Sequence, residues 1–438
     1  MAEQSSSITA CSDTGSQPND KFSVGRAFKA LGPGLITGAS DDDPSGIGTY
    51  AMAGASLGYA PLWIALATYP LMAGIQYICA KIGLVYGCGL ANIMRRQYPR
   101  WIVIPVVIAL VVANTINAAA DISAIAAGVN LLVPVPILVL ALPIGLAILI
   151  TQIWGSYAVI SKIFRWLTLS LFAYIGAALL AKPNWGAVLH GTVVPTFRFD
   201  SDFISMLVAI LGTTISPYLF FWQATHEIED EIAQGKKQLW QRKGVSDTEL
   251  KYAAWDVNTG MLLSNVVMYF IILATAATLH ADGHTEVNTA TDAAEALRPI
   301  AGDAAYVLMA LGLVGTGVLA VPILTGSAAY SVAELFGWQC GLGKQPGRAK
   351  EFYLVMTAST IVALGICYAG ISPMSALFWT AVINGFLAPP LLVVVMLIAN
   401  NREVMGDRVN SRLLNVVGWA TTVAMFVAAA VLVWTWIA

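Results

Sequence analysis

Long apolar stretches follow one another along almost the whole chain, separated by short polar segments. A helix that crosses a lipid bilayer needs about 20 mostly apolar residues, and eleven stretches of this sequence reach that length. They lie at approximately 30–57, 60–83, 102–131, 134–153, 159–181, 204–228, 253–279, 304–336, 351–370, 373–399 and 414–437. The pattern predicts an all-α polytopic membrane protein with eleven transmembrane spans.

Composition strengthens this prediction and excludes several classes of protein. Charged residues make up 11% of the 438 residues, apolar residues make up 58%, and the mean hydropathy is +0.72. A soluble domain carries about 25% charged residues, so this chain lacks the charged surface that soluble domains would need. The net charge of −2 gives no basic surface for nucleic acid. The scattered cysteines indicate neither a disulfide framework nor a zinc site, and no cofactor is expected.

The basic residues predict the orientation of the spans. Residues 1–20 are polar and contain no apolar signal region, which predicts a disordered tail before one transmembrane domain at 21–438. With a cytoplasmic N-terminus, the outer side receives only Lys182, Arg198 and Arg298, and the cytoplasmic side receives the other twenty of the 23 basic residues. This bias obeys the positive-inside rule, so we interpret the Lys/Arg clusters as topology signals. The C-terminus is then extracellular.

Most acidic residues fall near the ends of predicted spans, where a solvated helix end is the expected environment. Those near span ends are Glu227, Glu229, Asp230, Glu231, Asp256 and Glu334. Ionisable groups inside a span are costly and indicate a functional site. The acidic residues that remain at the centres of spans are therefore the candidates for chemistry.

Span 1 has carboxylates at its centre. Asp41, Asp42 and Asp43 are consecutive and are followed by Pro44, which removes a backbone donor and disfavours a helical conformation at the residue before it. We predict a broken helix whose unwound centre faces a watery cavity, where carboxylates and free carbonyls bind a cation. The alternative is an acidic loop outside the membrane, which would spoil the alternation of basic residues.

Span 6 carries a second interruption at Pro217. A proline alone often only kinks a transmembrane helix, but spans 1 and 6 open the two halves of a five-plus-five arrangement. Interrupted segments at corresponding positions point to a transporter built from inverted repeats. The repeats are predicted at about 27–182 and 200–400, with one further helix at 414–437.

Span 3 gives a weaker indication of a functional site. Asn114, Asn117 and Asp121 are spaced so that they share one helix face. A polar stripe inside an apolar bundle either lines a path for the substrate or binds a neighbouring helix, and the sequence leaves both options open.

These segments resemble the Nramp divalent-metal transporters, which have the LeuT-type fold. Residues 43–46 (Asp-Pro-Ser-Gly) stand where the family has Asp-Pro-Gly-Asn. Residues 212–218 (Gly-Thr-Thr-Ile-Ser-Pro-Tyr) stand where it has a stretch like Gly-Ala-Thr-Val-Met-Pro-His. Residues 120–124 (Ala-Asp-Ile-Ser-Ala) match a segment reading Thr-Asp-Leu-Ala-Glu. The similarity runs over roughly residues 27–437 and implies a LeuT-type fold with helices 1 and 6 broken at the membrane midplane.

The resemblance also implies a metal site. In the family the ion is held by the Asp and Asn of span 1, a carbonyl of span 6 and the sulfur of a span-6 Met. Carried over by position, these ligands become Asp43, Gly46, the Thr213 carbonyl and Ser216. Gly46 has no side-chain oxygen, and Ser216 offers a hard hydroxyl in place of a soft thioether.

Other family positions have changed as well. The span-6 histidines correspond to Tyr218 and Gln223, and the span-3 Glu corresponds to Ala124, whereas Asp121 is kept. We expect Tyr218, Gln223 and Asn384 to line the ion pathway together with Asn117 and Asp121. The four histidines of the chain lie near span ends or in loops, so weak or absent proton coupling is expected.

The changed ligands predict the ion. Thioethers favour soft transition metals, whereas carboxylate, carbonyl and hydroxyl oxygens suit Mg²⁺, Ca²⁺ and Mn²⁺. Losing the Met and Asn side chains widens the cavity, and Mg²⁺ usually keeps several waters beside one or two carboxylates. Asp42 and Asp43 are candidates for those carboxylates. The sequence most resembles the Nramp-related magnesium transporters, and we predict Mg²⁺ transport with Mn²⁺ accepted.

Three alternatives remain. A proton-coupled Mn²⁺/Fe²⁺ symporter would keep ordinary Nramp function, and a cation-coupled amino-acid symporter would use the same fold. The adjacent carboxylates of span 1 would repel an amino-acid carboxylate, and a sensor would need a signalling domain that we do not find. We therefore expect a monomeric transporter of the plasma membrane, which is not an enzyme, with a divalent metal ion and the lipid bilayer as its partners.

Overall fold

The computed structural model describes residues 32–154, 172–298 and 302–437, and these are almost entirely helical. In chain order the first half contains α1 (Pro33–Asp41), α2 (Pro44–Leu57), α3 (Leu62–Tyr86), α4 (Leu90–Gln97), α5 (Arg100–Leu132), α6 (Ile137–Trp154), α7 (Ala173–Leu180) and α8 (Trp185–Val193). The second half contains α9 (Ser201–Thr214), α10 (Pro217–Ala233), α11 (Leu239–Arg242), α12 (Asp247–Thr275), α13 (Ala290–Glu295), α14 (Ala305–Phe336), α15 (Lys350–Cys367), α16 (Pro373–Asn400), α17 (Arg402–Met405) and α18 (Arg412–Ile437). A π-helical turn, Ala276–His280, extends α12.

The long helices of the described residues agree with nine of the eleven predicted spans, while span 1 is present as two shorter helices, α1 and α2. Within the described ranges, nine helical segments are long and apolar enough to cross a membrane, with α9 and α10 counted together. They correspond to predicted spans 2, 3, 4, 6, 7, 8, 9, 10 and 11. Of span 5, only α7 is described, because residues 155–171 lie outside the described ranges, as does the predicted tail at 1–20.

Both predicted helix breaks are present. The first span divides into α1 and α2 on either side of Asp42 and Asp43, and the sixth divides into α9 and α10 around Ser216. Pro44 and Pro217 each occupy the first turn of the second half-helix. Proline is tolerated there because its missing N–H would have no helical partner. The side chain of Asp43 caps α2 by accepting the backbone N–H of Gly46.

The half-helix α1 packs closely along α12. A Cβ on Gly38 would lie 2.3 Å from the carbonyl of Gly260, and a Cβ on Gly34 would lie 2.5 Å from the nitrogen of Val257. Only glycine allows two backbones to approach so closely. The glycines that punctuate span 1 therefore serve helix packing as well as the break.

Four of the acidic residues expected at solvated helix ends are buried instead, so that prediction was wrong for Glu227, Glu231, Asp256 and Glu334. Asp256 on α12 accepts the backbone N–H groups of Gly32, Gly34 and Leu35 at 2.6–3.1 Å. Glu334 on α14 accepts the N–H of Asn92 at 3.1 Å, at the start of α4. The first N–H groups of a helix lack partners within it and attract anions. The carboxylates of Asp256 and Glu334 hold these helix starts.

The α5 and α14 pair forms the densest contact of the bundle. Ala118, Ala119 and Ala120 on α5 are buried, as expected for small residues in close helix packing. A Cβ on Gly317 of α14 would lie 2.5 Å from the side chain of Ile125, so this crossing also depends on a missing side chain. The break of the first span packs against these two helices.

Candidate metal centre

Asp43 is the best-positioned carboxylate at the break. It is 2% exposed, and its Oδ1 accepts hydrogen bonds from the hydroxyl of Ser45 at 2.6 Å and the N–H of Gly46 at 2.8 Å. Its Oδ2 accepts from the amide of Asn117 at 3.2 Å and lies 3.5 Å from the hydroxyl of Tyr218. Residues from the first, third and sixth spans therefore meet at one carboxylate, as the sequence predicted.

Asp41 and Asp42 point elsewhere. The hydroxyl of Ser264 on α12 lies 2.6 Å from Oδ2 of Asp41 and 3.2 Å from Oδ1 of Asp42. The carboxylates of the triplet thus divide between two sides of the break. The sequence analysis missed Ser264, although Asp256, Gly260 and Ser264 recur every four residues along one face of α12.

The break in the sixth span has its own hydrogen bonds. Ser216 is buried, and its hydroxyl lies 2.9 Å from the carbonyl of Gly212 and 2.7 Å from that of Thr213. The hydroxyl proton is therefore used within the helix, while the oxygen lone pairs of Ser216 stay free to bind a cation. The predicted ligands Thr213 and Ser216 are brought together at the end of α9.

The space beside Gly46 is shared by two residues. A Cβ on Gly46 would lie 3.2 Å from the ring of Tyr50 and 3.3 Å from Oγ1 of Thr213. The hydroxyls of Tyr50 and Thr213 are both buried and interact with each other. Sequence analysis predicted the Thr213 carbonyl as a ligand but missed its hydroxyl and Tyr50, because the side-chain directions depend on how α2 and α9 pack.

The three polar residues that share one face of α5 make different contacts. Asn114 donates to the carbonyl of Leu324 at 3.1 Å and so binds the neighbouring helix α14. Asn117 donates to Asp43 as described above. Asp121 is fully buried, and its carboxylate interacts with the backbone N–H of Ser45. The helix-binding alternative therefore applies to Asn114, whereas a role of Asn117 and Asp121 in lining a path stays a prediction.

Gln223 and Asn384 are buried but take separate positions. The amide nitrogen of Gln223 donates to Oε1 of Glu227 at 2.8 Å, one turn further along α10. The amide nitrogen of Asn384, on α16, is buried without a partner. Sequence analysis placed His226 at a span end, but α10 continues to Ala233, so His226 lies within the helix and packs its ring 5.2 Å from that of Trp222.

The donors around the break are oxygens. Within the described residues, no group of three His, Cys, Asp or Glu side chains is arranged to hold a metal ion. The available atoms are the carboxylate of Asp43, the hydroxyls of Ser216, Thr213 and Tyr50, and backbone carbonyls. Such a set can complete the shell of a hard, partly hydrated cation, in which water fills the remaining positions.

Comparison with known proteins agrees with this geometry. The family model described as natural resistance-associated macrophage protein-like (Nramp) matches residues 34–435. This chain belongs to the Nramp family. The match covers both broken spans and the last helix, so the protein is a multi-pass membrane protein of a metal-transporter family rather than one of an enzyme family.

Solved Nramp and related structures share the fold. A manganese transporter from Eremococcus coleocola, in complex with an aromatic bis-isothiourea substituted compound, is 18% identical, with a TM-score of 0.69 over 94% of this chain and 87% of that chain. A mutant of that transporter is also 18% identical, with a TM-score of 0.67 over 92% of this chain and 85% of that chain. A third similar structure is Mhp1, a nucleobase-cation-symport-1 family transporter in a closed conformation with bromovinylhydantoin bound. It is 12% identical, with a TM-score of 0.56 over 93% of this chain and 92% of that chain. The LeuT-type fold is therefore confirmed.

Proposed function

We propose that this Nramp protein moves Mg²⁺, and also Mn²⁺, across the membrane by alternating access. The chemistry of the donors around Asp43 carries the proposal. Carboxylate, hydroxyl and carbonyl oxygens suit Mg²⁺, Ca²⁺ and Mn²⁺, whereas a thioether favours softer metals. Ser216 supplies a hydroxyl at the position where the family has Met, which supports the magnesium-transporting branch.

The ion would be anchored by Asp43 and would keep part of its water. The Thr213 carbonyl and the Ser216 hydroxyl would contribute further oxygens, either directly or through water. Asp42 lies on the Ser264 side of the break and would contribute only through water. The buried hydroxyls of Tyr50 and Thr213 could hydrogen-bond the water molecules that a bound ion keeps. Mg²⁺ sheds water reluctantly, so a site rich in such hydroxyls fits it well.

Alternating access would move the two broken spans with α3 and α12 against a scaffold of α5, α6, α14 and α15. Asp43 lies between these groups, since it belongs to the first span and bonds Asn117 on α5. Rocking the groups would open the break to one side at a time. We propose that the protein acts as a monomer in the plasma membrane, with a cytoplasmic N-terminus and an extracellular C-terminus.

We propose that the membrane potential, rather than protons, drives uptake. Tyr218 and Gln223 replace the histidines that the family has in the sixth span. An inside-negative potential favours entry of a dication by about 4.6 kcal/mol per 100 mV. This drive needs no titrating group at the site.

The proposal is tested by flux into proteoliposomes, comparing Mg²⁺, Mn²⁺, Ca²⁺ and Cd²⁺. We expect Mg²⁺ and Mn²⁺ uptake by the wild type and loss of both in Asp43→Ala. Asp202→Ala is the control, because Asp202 is an exposed acid in the first turn of α9. Normal uptake by Asp43→Ala would refute the proposed site.

A second candidate is a proton-coupled Mn²⁺/Fe²⁺ symporter. Asp121 favours it, because a fully buried carboxylate inside a membrane span is a natural place for a proton. Acidification of the vesicle lumen that depends on metal uptake, together with Fe²⁺ or Cd²⁺ outcompeting Mg²⁺, would support this candidate. Asp121→Asn should then abolish the acidification.

A further inference from the structure

A line of polar side chains descends from the break along α10. Gln223, Glu227 and Glu231 are spaced by four residues and therefore lie on one face of the helix. All three are buried, with exposures of 0%, 7% and 6%. With a rise of about 1.5 Å per residue, Gln223 and Glu227 lie about 9 Å and about 15 Å along the helix from Pro217.

Gln223 and Glu227 form a hydrogen-bonded pair whose remaining oxygens are available to bind a cation. The amide nitrogen of Gln223 donates to Oε1 of Glu227 at 2.8 Å, so the amide oxygen stands beside the same carboxylate. That amide oxygen is buried and has no hydrogen-bond partner among the residues that the structure describes. None of the ion pairs among the described residues includes Glu227. The pair therefore places a carboxylate and an unsatisfied carbonyl oxygen together in the protein interior.

The neighbouring acids already have partners. Oε1 of Glu231 bonds the ammonium of Lys236 at 2.8 Å, near the end of α10. Asp256, on the facing helix α12, is occupied by the backbone N–H groups at the start of α1. Glu229 accepts the hydroxyl of Tyr330 at 3.0 Å. Oε2 of Glu231 is also buried without a partner among the described residues, but the lysine ammonium already offsets the charge of that carboxylate. Glu227 differs in having no cationic partner within the part of the chain that the structure describes.

We propose that Gln223 and Glu227 form a second, weaker site for a hydrated divalent cation, on the cytoplasmic side of the Asp43 site. This inference rests on the proposed transport of divalent cations and assigns a stopping point on their exit path. One carboxylate and one amide oxygen provide fewer charges than a tight site needs, so most of the ion's shell stays water. Weak binding suits an exit site, because an ion that must leave cannot be held tightly.

Mn²⁺ serves as the probe in the test, with free Mn²⁺ followed by electron paramagnetic resonance during titration of the purified full-length protein. We expect two classes of bound Mn²⁺ in the wild type. Glu227→Gln, which keeps the size of the side chain, should weaken the lower-affinity class at least about tenfold, since even outer-shell substitutions cost that much. Retention of the tighter class in this variant shows that it is folded.

Two further variants complete the test. Asp43→Ala should lose the tighter class and keep the weaker one, and Glu229→Gln, a change of the same kind on a different face of α10, should bind like the wild type. The inference is overturned if Glu227→Gln keeps both classes, or if the wild type has one class that Asp43→Ala abolishes. If Asp43→Ala keeps the tighter class, the proposed principal site is wrong, while loss of the weaker class in Glu227→Gln still supports the exit site.

Discussion

At the scale of single residues, Asp43 shows how a carboxylate can be buried in a membrane protein and stay available. Ser45 and Gly46 fix one of its oxygens, while Asn117 orients the other toward the sixth span. A buried polar group must be satisfied by hydrogen bonds, and the donors here come from two different helices, α2 and α5. The same donors hold the carboxylate ready for an ion, so its position needs little rearrangement on binding.

Ser216 is the residue whose substitution tests the preference for hard ions. We expect Ser216→Met to raise the interaction with Cd²⁺ and Mn²⁺ relative to Mg²⁺, because a thioether binds soft metals better than a hydroxyl does. The measurement is competition of each ion against Mg²⁺ uptake in proteoliposomes. Ser216→Thr keeps the hydroxyl and should leave the ranking as it is. An unchanged ranking in Ser216→Met would undercut the argument from ligand softness.

The sequence identified Asp43 and Asn117 because a carboxylate and an amide are unusual inside apolar spans, and Tyr218 because it stands where the resembled family has a histidine. It did not identify Ser264 or Tyr50, because serine and tyrosine are ordinary in transmembrane helices and only packing shows which of them face the break. Ser264 could have been found, because Asp256, Gly260 and Ser264 recur every four residues on one face of α12. Tyr50 offered no such pattern.

At the scale of elements, the half-helix α1 is fastened to α12 at both ends. Asp256 holds its start through the backbone N–H groups, and Ser264 contacts Asp41 at its end. Between them, the glycines bring the two backbones into contact. These contacts close the path from the break along the α1–α12 interface.

Removing the carboxylate of Asp256 should loosen this closure. Loss of a helix cap costs about 0.5–2 kcal/mol, so Asp256→Ala should raise the rate at which a cysteine introduced by Ala39→Cys reacts with a water-soluble thiol reagent. The background would lack the native cysteines. Asp230→Ala, which removes an exposed acid on α10, is the control. Equal labelling rates in the three proteins would show that Asp256 does not hold α1.

The glycine contact makes a separate prediction. Gly38→Ala would place a Cβ 2.3 Å from the backbone of Gly260, so we expect a lower midpoint of thermal unfolding in detergent and reduced uptake. Gly365→Ala is the matched control, since a Cβ there meets nothing within 4 Å. Alanine in a helix interior is favoured over glycine by about 0.5–1 kcal/mol, so the control should be neutral or stabilising. A stabilised Gly38→Ala would contradict the packing.

The elements were predictable because each follows from length, hydropathy and the position of proline. The two breaks followed from Pro44 and Pro217 with polar residues around them. What the sequence misplaced were Asp256 and Glu334, expected to be solvated, since only tertiary structure shows that they cap neighbouring helices. The same limit applied to the buried pair Gln223 and Glu227.

At the scale of the whole molecule, charged residues are few and the buried ones are concentrated in a small number of places. Only 11% of residues are charged, and a charge inside a bilayer is costly unless it is paired or serves a function. Some buried carboxylates hold helices together, and we propose that those at the break and along α10 bind a cation. The family membership and the fold place these residues within a transporter, and the donor chemistry supports the proposed ion.

The most direct test of magnesium transport is Mg²⁺ uptake into proteoliposomes at an imposed inside-negative potential, without a pH gradient and with Cd²⁺ present at equal concentration. We predict uptake that rises with the potential, persists in the presence of Cd²⁺ and leaves the lumenal pH unchanged. Uptake abolished by Cd²⁺, or absent until a proton gradient is applied, would contradict the account.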